Sequence, residues 1–313
     1  MNKHKVISIV LDTLSEKELS DMTVRLRTVS IENQIVIAGA LMQDTLPVNE
    51  EAVAQAIISG TSIENRAGVV RAIICITSAG NVASVAHILI KQTDNDPVVA
   101  KTIMKYMSSE QIPLVARAIF LGTSPENEML IVQAIIEGIP IGTQTSVVQE
   151  IMWAVSEENE ADVAGVFMRL TPPEIQADMV AVIMSKTTPD HQIDVASKIM
   201  TNIAEINKPA VAGILMKTVL PSKQVALARE IMATTSPGEE VIMARVLIQN
   251  TLPANQADVA KELMDGTIPA NQPSVANEIM MGIDPKNKET VVQRIRAATS
   301  PSKQSDVAAV ISI

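Results

Sequence analysis

Apolar positions recur along this chain in sixteen-residue blocks, and that spacing organises everything else. Rows begun at Thr13, Val29, Thr45, Thr61, Thr77 and Thr93, then from Met107 through Thr123 and Ile139 to Thr299, place like residues in like columns. The rows from Thr251 and Thr267 show the consensus, T-[SL]-P-x-N-Q-x-x-V-A-x-x-I-M-x-G. Columns nine, ten, thirteen and fourteen are apolar. Their i, i+1, i+4, i+5 spacing makes one stripe along an α-helix, not the alternation of a half-buried strand. Column nine reads Val53, Val69, Val85, Val99 and Val115; column thirteen reads Ile57, Ile73, Leu89, Ile103 and Ile119. Column ten is mostly alanine, as at Ala38, Ala54, Ala86, Ala116, Ala196, Ala228, Ala260 and Ala276. That predicts helices approaching near the short end of roughly 8–10 Å separations. Column fourteen favours methionine, including Met42, Met104, Met152, Met168, Met184, Met200 and Met216. Methionine fills core gaps and also lines adaptable surfaces.

The polar columns predict where each helix starts and stops. At Thr123–Asn127 the chain reads T-S-P-E-N, so Ser124 is expected as N-cap with Pro125 at the first helical position. Acidic column-four residues (Glu32, Glu64, Glu110, Glu126, Glu158, Glu174) suit the positive helix end. Gly60, Gly122, Gly138, Gly266 and Gly282 are expected as left-handed terminators. The asparagine column (Asn33, Asn49, Asn65, Asn81, Asn127, Asn159, Asn207, Asn255, Asn271, Asn287) is expected to cap turns across neighbouring repeats. The other reading of that column is a polar groove for an extended peptide. A helix of about twelve residues and a turn of about four send each helix back beside the last.

The prediction is an all-α fold: an α-solenoid or superhelix of about 20 short antiparallel helices, one per 16-residue repeat. A single continuous helical-repeat domain over 1–313 is expected, with N-terminal cap repeats at 1–28 and C-terminal cap repeats at 283–313. Val6, Ile9 and Val10 fall in columns ten, thirteen and fourteen of a truncated first repeat. Arg25, Arg296 and Ser312 put polar groups in the apolar columns of the ends, as caps do. The repeat at 93–106 is two residues short and opens on Asp94-Asn95-Asp96-Pro97. It is expected to be a kink or seam, or else a tolerated loop shortening. In architecture the pattern resembles HEAT- and TPR-type superhelices. The TPR and ankyrin signature residues are absent, so the resemblance implies a stack of helices and nothing about activity.

Composition then narrows the function. Tyr106, Phe120, Trp153 and Phe167 are the only aromatics, too few for a base-stacking platform. A net charge of −10 and a pI near 4.9 disfavour a nucleic-acid phosphate partner. The same charge fits a basic protein partner or a plain solvated surface. One cysteine, Cys75, rules out an intramolecular disulfide and fits a reducing compartment. The apolar run Val6–Leu11 is too short for a signal peptide, and no run approaches the roughly 20 residues that span a bilayer. A cytoplasmic protein, or one assembled intracellularly into a larger particle, is therefore expected.

No phosphate loop, dinucleotide fingerprint, HExxH or CxxC occurs. His4, His87 and His191 lie in separate repeats. Cys75 and His87 are in adjacent repeats but in columns fifteen and eleven, with no reason to meet. Asp162, Asp178 and Asp194 share column eight, yet alternate helices would turn them apart. No catalytic residue, cofactor or metal is expected, and the chain reads as no enzyme. The candidate partner-binding residues are two basic runs in column eleven, Arg71, His87, Lys101 and Arg117, then Arg229, Arg245 and Lys261. Trp153, the lone tryptophan, joins them. The leading expectation is a scaffold that binds a protein partner of unknown identity on a curved surface, without a membrane. The alternatives are a self-associating subunit of a filament, shell or virion, and an acidic inhibitor that mimics nucleic acid.

Overall fold

A computed structural model describes residues 15–311. Val6, Ile9, Val10 and Ser312 thus lie outside the described residues. The fold is an all-α solenoid, with no strand among the described residues. Its contacts divide it into two compact units, 1–159 and 160–313.

The first unit carries α1 (Glu16–Arg27), α2 (Ile31–Gln43), α3 (Glu50–Gly60), α4 (Arg66–Ile74), α5 (Val82–Gln92), α6 (Pro97–Lys105), α7 (Ile112–Leu121), α8 (Glu128–Gly138) and α9 (Gln144–Ala154). The second carries α10 (Glu160–Leu170), α11 (Gln176–Lys186), α12 (Gln192–Asn202), α13 (Lys208–Thr218), α14 (Gln224–Thr234), α15 (Glu240–Gln249), α16 (Gln256–Asp265), α17 (Gln272–Gly282), α18 (Lys288–Ala298) and α19 (Gln304–Ile311). Most are entered through a single 3-10 turn at columns three to five, as at Pro47–Asn49, Pro125–Asn127 and Pro253–Asn255. Proline opens that turn because an N–H there would have no helical partner.

Within each unit a helix packs most extensively on the helix two places later, 32 residues on in the regular repeats. Hydrogen bonds tie the start of one such helix to the start of the other, as between Glu50 and Ser78, so helices two apart run parallel. Consecutive helices, joined by short turns, point back. Each unit is thus a pair of helix rows with the apolar stripe between them. Ala54, Ala86, Ala116, Ala196, Ala228, Ala260 and Ala276 are all fully buried. So are Met168 and Met216, and Met104, Met152, Met184 and Met200 nearly so, which makes the methionine column core.

One local expectation needs correction, and two others gain detail. No described glycine has a positive φ, so the column-sixteen glycines are not left-handed terminators. They mark close approach of the neighbouring helix instead. A Cβ at Gly266 would stand 2.8 Å from Met232 Cβ, and one at Gly282 would stand 2.7 Å from Ile248 Cγ2. Ser124 is the N-cap of the 3-10 turn that Pro125 opens, as expected, although its side chain makes no capping bond to the backbone. Its carbonyl takes the Asn127 N–H at 2.9 Å, which closes the 3-10 turn. Finally, the shortened repeat replaces that turn with two left-handed residues, Asp94 and Asn95 (φ 53° and 60°). Asp96 then accepts the Val98 N–H at 2.8 Å and starts α6, nine residues long. The deletion is absorbed in this turn and in a shorter helix. α6 still packs on α4 and α8 inside the first unit.

Candidate partner-binding surface

Most of the asparagine column is half-buried and bridges repeats, whereas Asn33 and Asn127 donate to the serine of their own turn. Its partner is column six, where Gln34, Glu50, Glu128, Gln176, Gln224 and Gln256 are all buried. Each of these accepts both a backbone N–H from the residue 28 positions on and an amide from the asparagine 31 positions on. Gln224 Oε1 takes Leu252 N–H at 3.1 Å and Asn255 Nδ2 at 2.9 Å; Asn255 also donates to Pro221 O at 2.7 Å. Glu128 takes Asn159 at 2.9 Å, and Asn159 also reaches Pro125 O at 2.8 Å. A glutamine rung has a donor of its own: Gln224 Nε2 bonds the last-turn carbonyl of Met216 at 2.8 Å, and Gln176 does the same to Met168 at 3.1 Å. A glutamate rung has none, and there the residue 28 on often brings a hydroxyl. Ser78, Ser156 and Thr188 donate to Glu50, Glu128 and Glu160 at 2.7, 2.9 and 3.0 Å. Buried polar groups bonded in this way hold repeats in register; Gln144 is the exception, its Oε1 without a partner because Pro172 and Ile175 stand 28 and 31 positions on.

The column-eleven basic residues do not form ridges. Consecutive helices lie in opposite rows, so His87 and Arg117 (α5, α7) share one row while Arg71 and Lys101 (α4, α6) share the other. Likewise Arg229 and Lys261 lie in one row and Arg245 in the other. Most are neutralised locally. Arg229 and Arg245 fork onto Glu262 and Glu278, with Nε distances of 2.8 and 2.6 Å. Lys261 pairs with Asp265 at 2.6 Å and Lys101 with Glu137 at 2.8 Å. The arginine hydrogen bonds, then the arginine charges, hold Glu262 and Glu278 below the usual carboxylate range against the opposing pull of burial. Arg71 is exposed and makes no ion pair among the described residues.

A different arrangement gathers around Trp153. Helices α5, α7 and α9 are successive members of one row. Column fifteen sets Lys91, Leu121 and Trp153 side by side across them. Leu121 is 54% exposed and Trp153 61%. The Arg117 guanidinium lies 4.1 Å from the Trp153 ring centroid, with Nη1 3.5 Å from Glu150. That is a cation–π contact which pins the indole open to solvent. Beside Leu121, His87 Nδ1 is 3.1 Å from Ala118 O. A carbonyl only accepts, so Nδ1 carries the proton and Nε2 of the neutral ring is an acceptor. A pocket of about 270 Å³ opens here between α5 and α7, lined by His87, Lys91, Asn95, Leu121 and the Gly122–Ser124 turn. Gly122 keeps it tight, since a Cβ would come within 3.0 Å of both His87 Nδ1 and its carbonyl.

Of the expected residues, His87, Arg117 and Trp153 therefore converge, and Arg71, Lys101, Arg229, Arg245 and Lys261 do not. Lys91 and Leu121 were missed, because column fifteen is variable and shows no periodic signal. A wider groove of about 520 Å³ lies between α6 and α8, but the Lys101–Glu137 ion pair bridges it. Among the described residues no group of His, Cys, Asp and Glu could hold a metal, and no helix is long and apolar enough to cross a membrane. No protein-family model matches the chain, and no curated protein matches it significantly.

Proposed function

We propose that the protein is a non-enzymatic scaffold that docks a protein partner on the column-fifteen strip of its first unit. One observation carries this reading: the chain's single tryptophan is held flat under an arginine on the surface, although the apolar columns beside it are buried. Exposed tryptophan and arginine are the residue types that dominate binding energy at protein interfaces. The repeat architecture supports the reading, since stacked helices present extended surfaces rather than one enclosed site.

A photo-crosslinking amino acid placed at position 153 tests it in extract from the native source. Position 281 serves as control, where Met281 is 73% exposed in the second unit. A discrete adduct at 153 that is absent at 281 and weakened by Arg117→Ala supports docking on the strip. Identical adduct patterns from both positions would reject it.

A further inference from the structure

The pocket at the end of the strip has a chemistry that the repeats do not explain. In a chain of net charge −10, no carboxylate lines it. The Lys91 side chain is exposed and has no ion pair or hydrogen bond among the described residues, so its ammonium is available. The neutral His87 ring adds an acceptor at Nε2. The Asn95 and Ser124 side chains are engaged within the lining, where the Asn95 and Asn127 amides donate to the Ser124 hydroxyl oxygen at 3.3 and 3.0 Å. Beside the pocket the same row carries the exposed Leu121 and Trp153. A free anion such as phosphate satisfies Lys91 alone. A peptide carries a carboxylate and an apolar side chain together and satisfies both.

We infer that this pocket receives an acidic side chain of the docked segment, with an apolar residue of the same segment seated on Leu121 and Trp153. The inference rests on the docking reading above. Its spacing follows from the row. Neighbouring helices lie roughly 8–10 Å apart, and a polyproline II segment returns a side chain to the same face every three residues, about 9 Å along. The recognised segment therefore carries Asp or Glu about three positions from a large apolar residue.

The test is a random nine-residue peptide library displayed on phage, panned against the full chain and counter-selected on Trp153→Ala. Selected peptides are then measured on the parent, Lys91→Ala, Lys91→Arg and Trp153→Ala chains. Lys91 is on the surface, and thermal melts by circular dichroism confirm that its variants fold. The expected result is an acidic residue about three positions from an apolar one. Binding should fall about tenfold in Lys91→Ala, as for loss of one charge-assisted hydrogen bond, and hold in Lys91→Arg. Peptides that need Trp153 but are neutral or basic at that place, and bind Lys91→Ala as well as the parent, would overturn this inference and leave docking intact. No Trp153-dependent peptide at all would overturn both. A concentration-dependent dimer dissolved by Trp153→Ala would assign the strip to a second copy of the chain and overturn the inference too.

Discussion

Replacing Gln224 with methionine isolates the polar ladder from packing. The residue is 2% exposed and the two side chains are close in volume, so little cavity or overpacking results. What goes is a set of three hydrogen bonds, to Leu252 N–H, Asn255 Nδ2 and Met216 O. Asn255 keeps Pro221 O. The Leu252 N–H and the Met216 carbonyl lose the side-chain partner that the column-six residue gives them, and the carbonyl sits in the last helical turn, where no intrahelical donor exists. The Leu252 N–H belongs to an exposed residue and can turn to water, so the cost falls on the buried Met216 carbonyl, about 1–3 kcal/mol. For a cooperative unit of this size, that lowers the melting temperature by at least about 2 °C. Thermal and urea unfolding followed by circular dichroism measure it, with an unchanged urea slope showing that stability alone has moved. Gln224→Glu keeps the acceptor and loses the donor, so its loss should be smaller. Adding Leu252→Ser supplies the hydroxyl that Ser78 and Ser156 bring to Glu50 and Glu128, and should recover part of that loss. A Gln224→Met chain that melts within about 1 °C of the parent would refute the ladder as a source of stability.

Four further outcomes follow from the same geometry. Gly266→Ala should destabilise by about 1–3 kcal/mol through overpacking against Met232, whereas Gly238→Ala, with nothing within 4 Å, should not; equal melts would remove the close-approach account. Ala228→Leu or Ala260→Leu should each cost about 1–3 kcal/mol, and an unchanged melt would contradict the tight alanine seam. Glu262 and Glu278 have lowered folded-state values, so their stabilisation is complete above the ordinary carboxylate range and is lost as pH falls through those values; Glu278→Gln should flatten the acid side of a stability–pH curve, and an unchanged slope would count against the Arg245 pair. Arg117→Ala should leave the fold intact and make Trp153 more accessible to acrylamide quenching, and unaltered quenching would mean that the guanidinium does not cover the ring.

The fold was legible because burial repeats with the helix period. Val53, Ala54 and Ile57 announce a stripe whatever surrounds them, and every later row repeats it. The ladder was half legible. Asn255 stood out by recurrence, but Gln224 at a helix start reads as an ordinary surface residue until the partner 31 positions on is known. The glycines misled because left-handed ends and close contacts favour the same residue, and only the backbone separates them. The basic runs misled for a topological reason. Arg71 and His87 are neighbours in column and in sequence, yet consecutive helices belong to opposite rows. Conversely, Lys91, Leu121 and Trp153 are 30 and 32 residues apart, with the first interval shortened by the missing pair at 93–106. Their meeting depends on which helix packs on which, and column identity does not encode that.

The two-row packing imposes a parity on the chain. A helix's row depends only on whether its place in the series is odd or even, and the buried stripe is the same in both. Within a compact unit, inserting 32 residues would return every later side chain to its own row. Inserting 16 would still fill the core, but it would transpose the two surfaces downstream and separate rung partners such as Glu50 and Ser78. Surface chemistry in this array is thus inherited in steps of two repeats, although the fold itself is counted in ones.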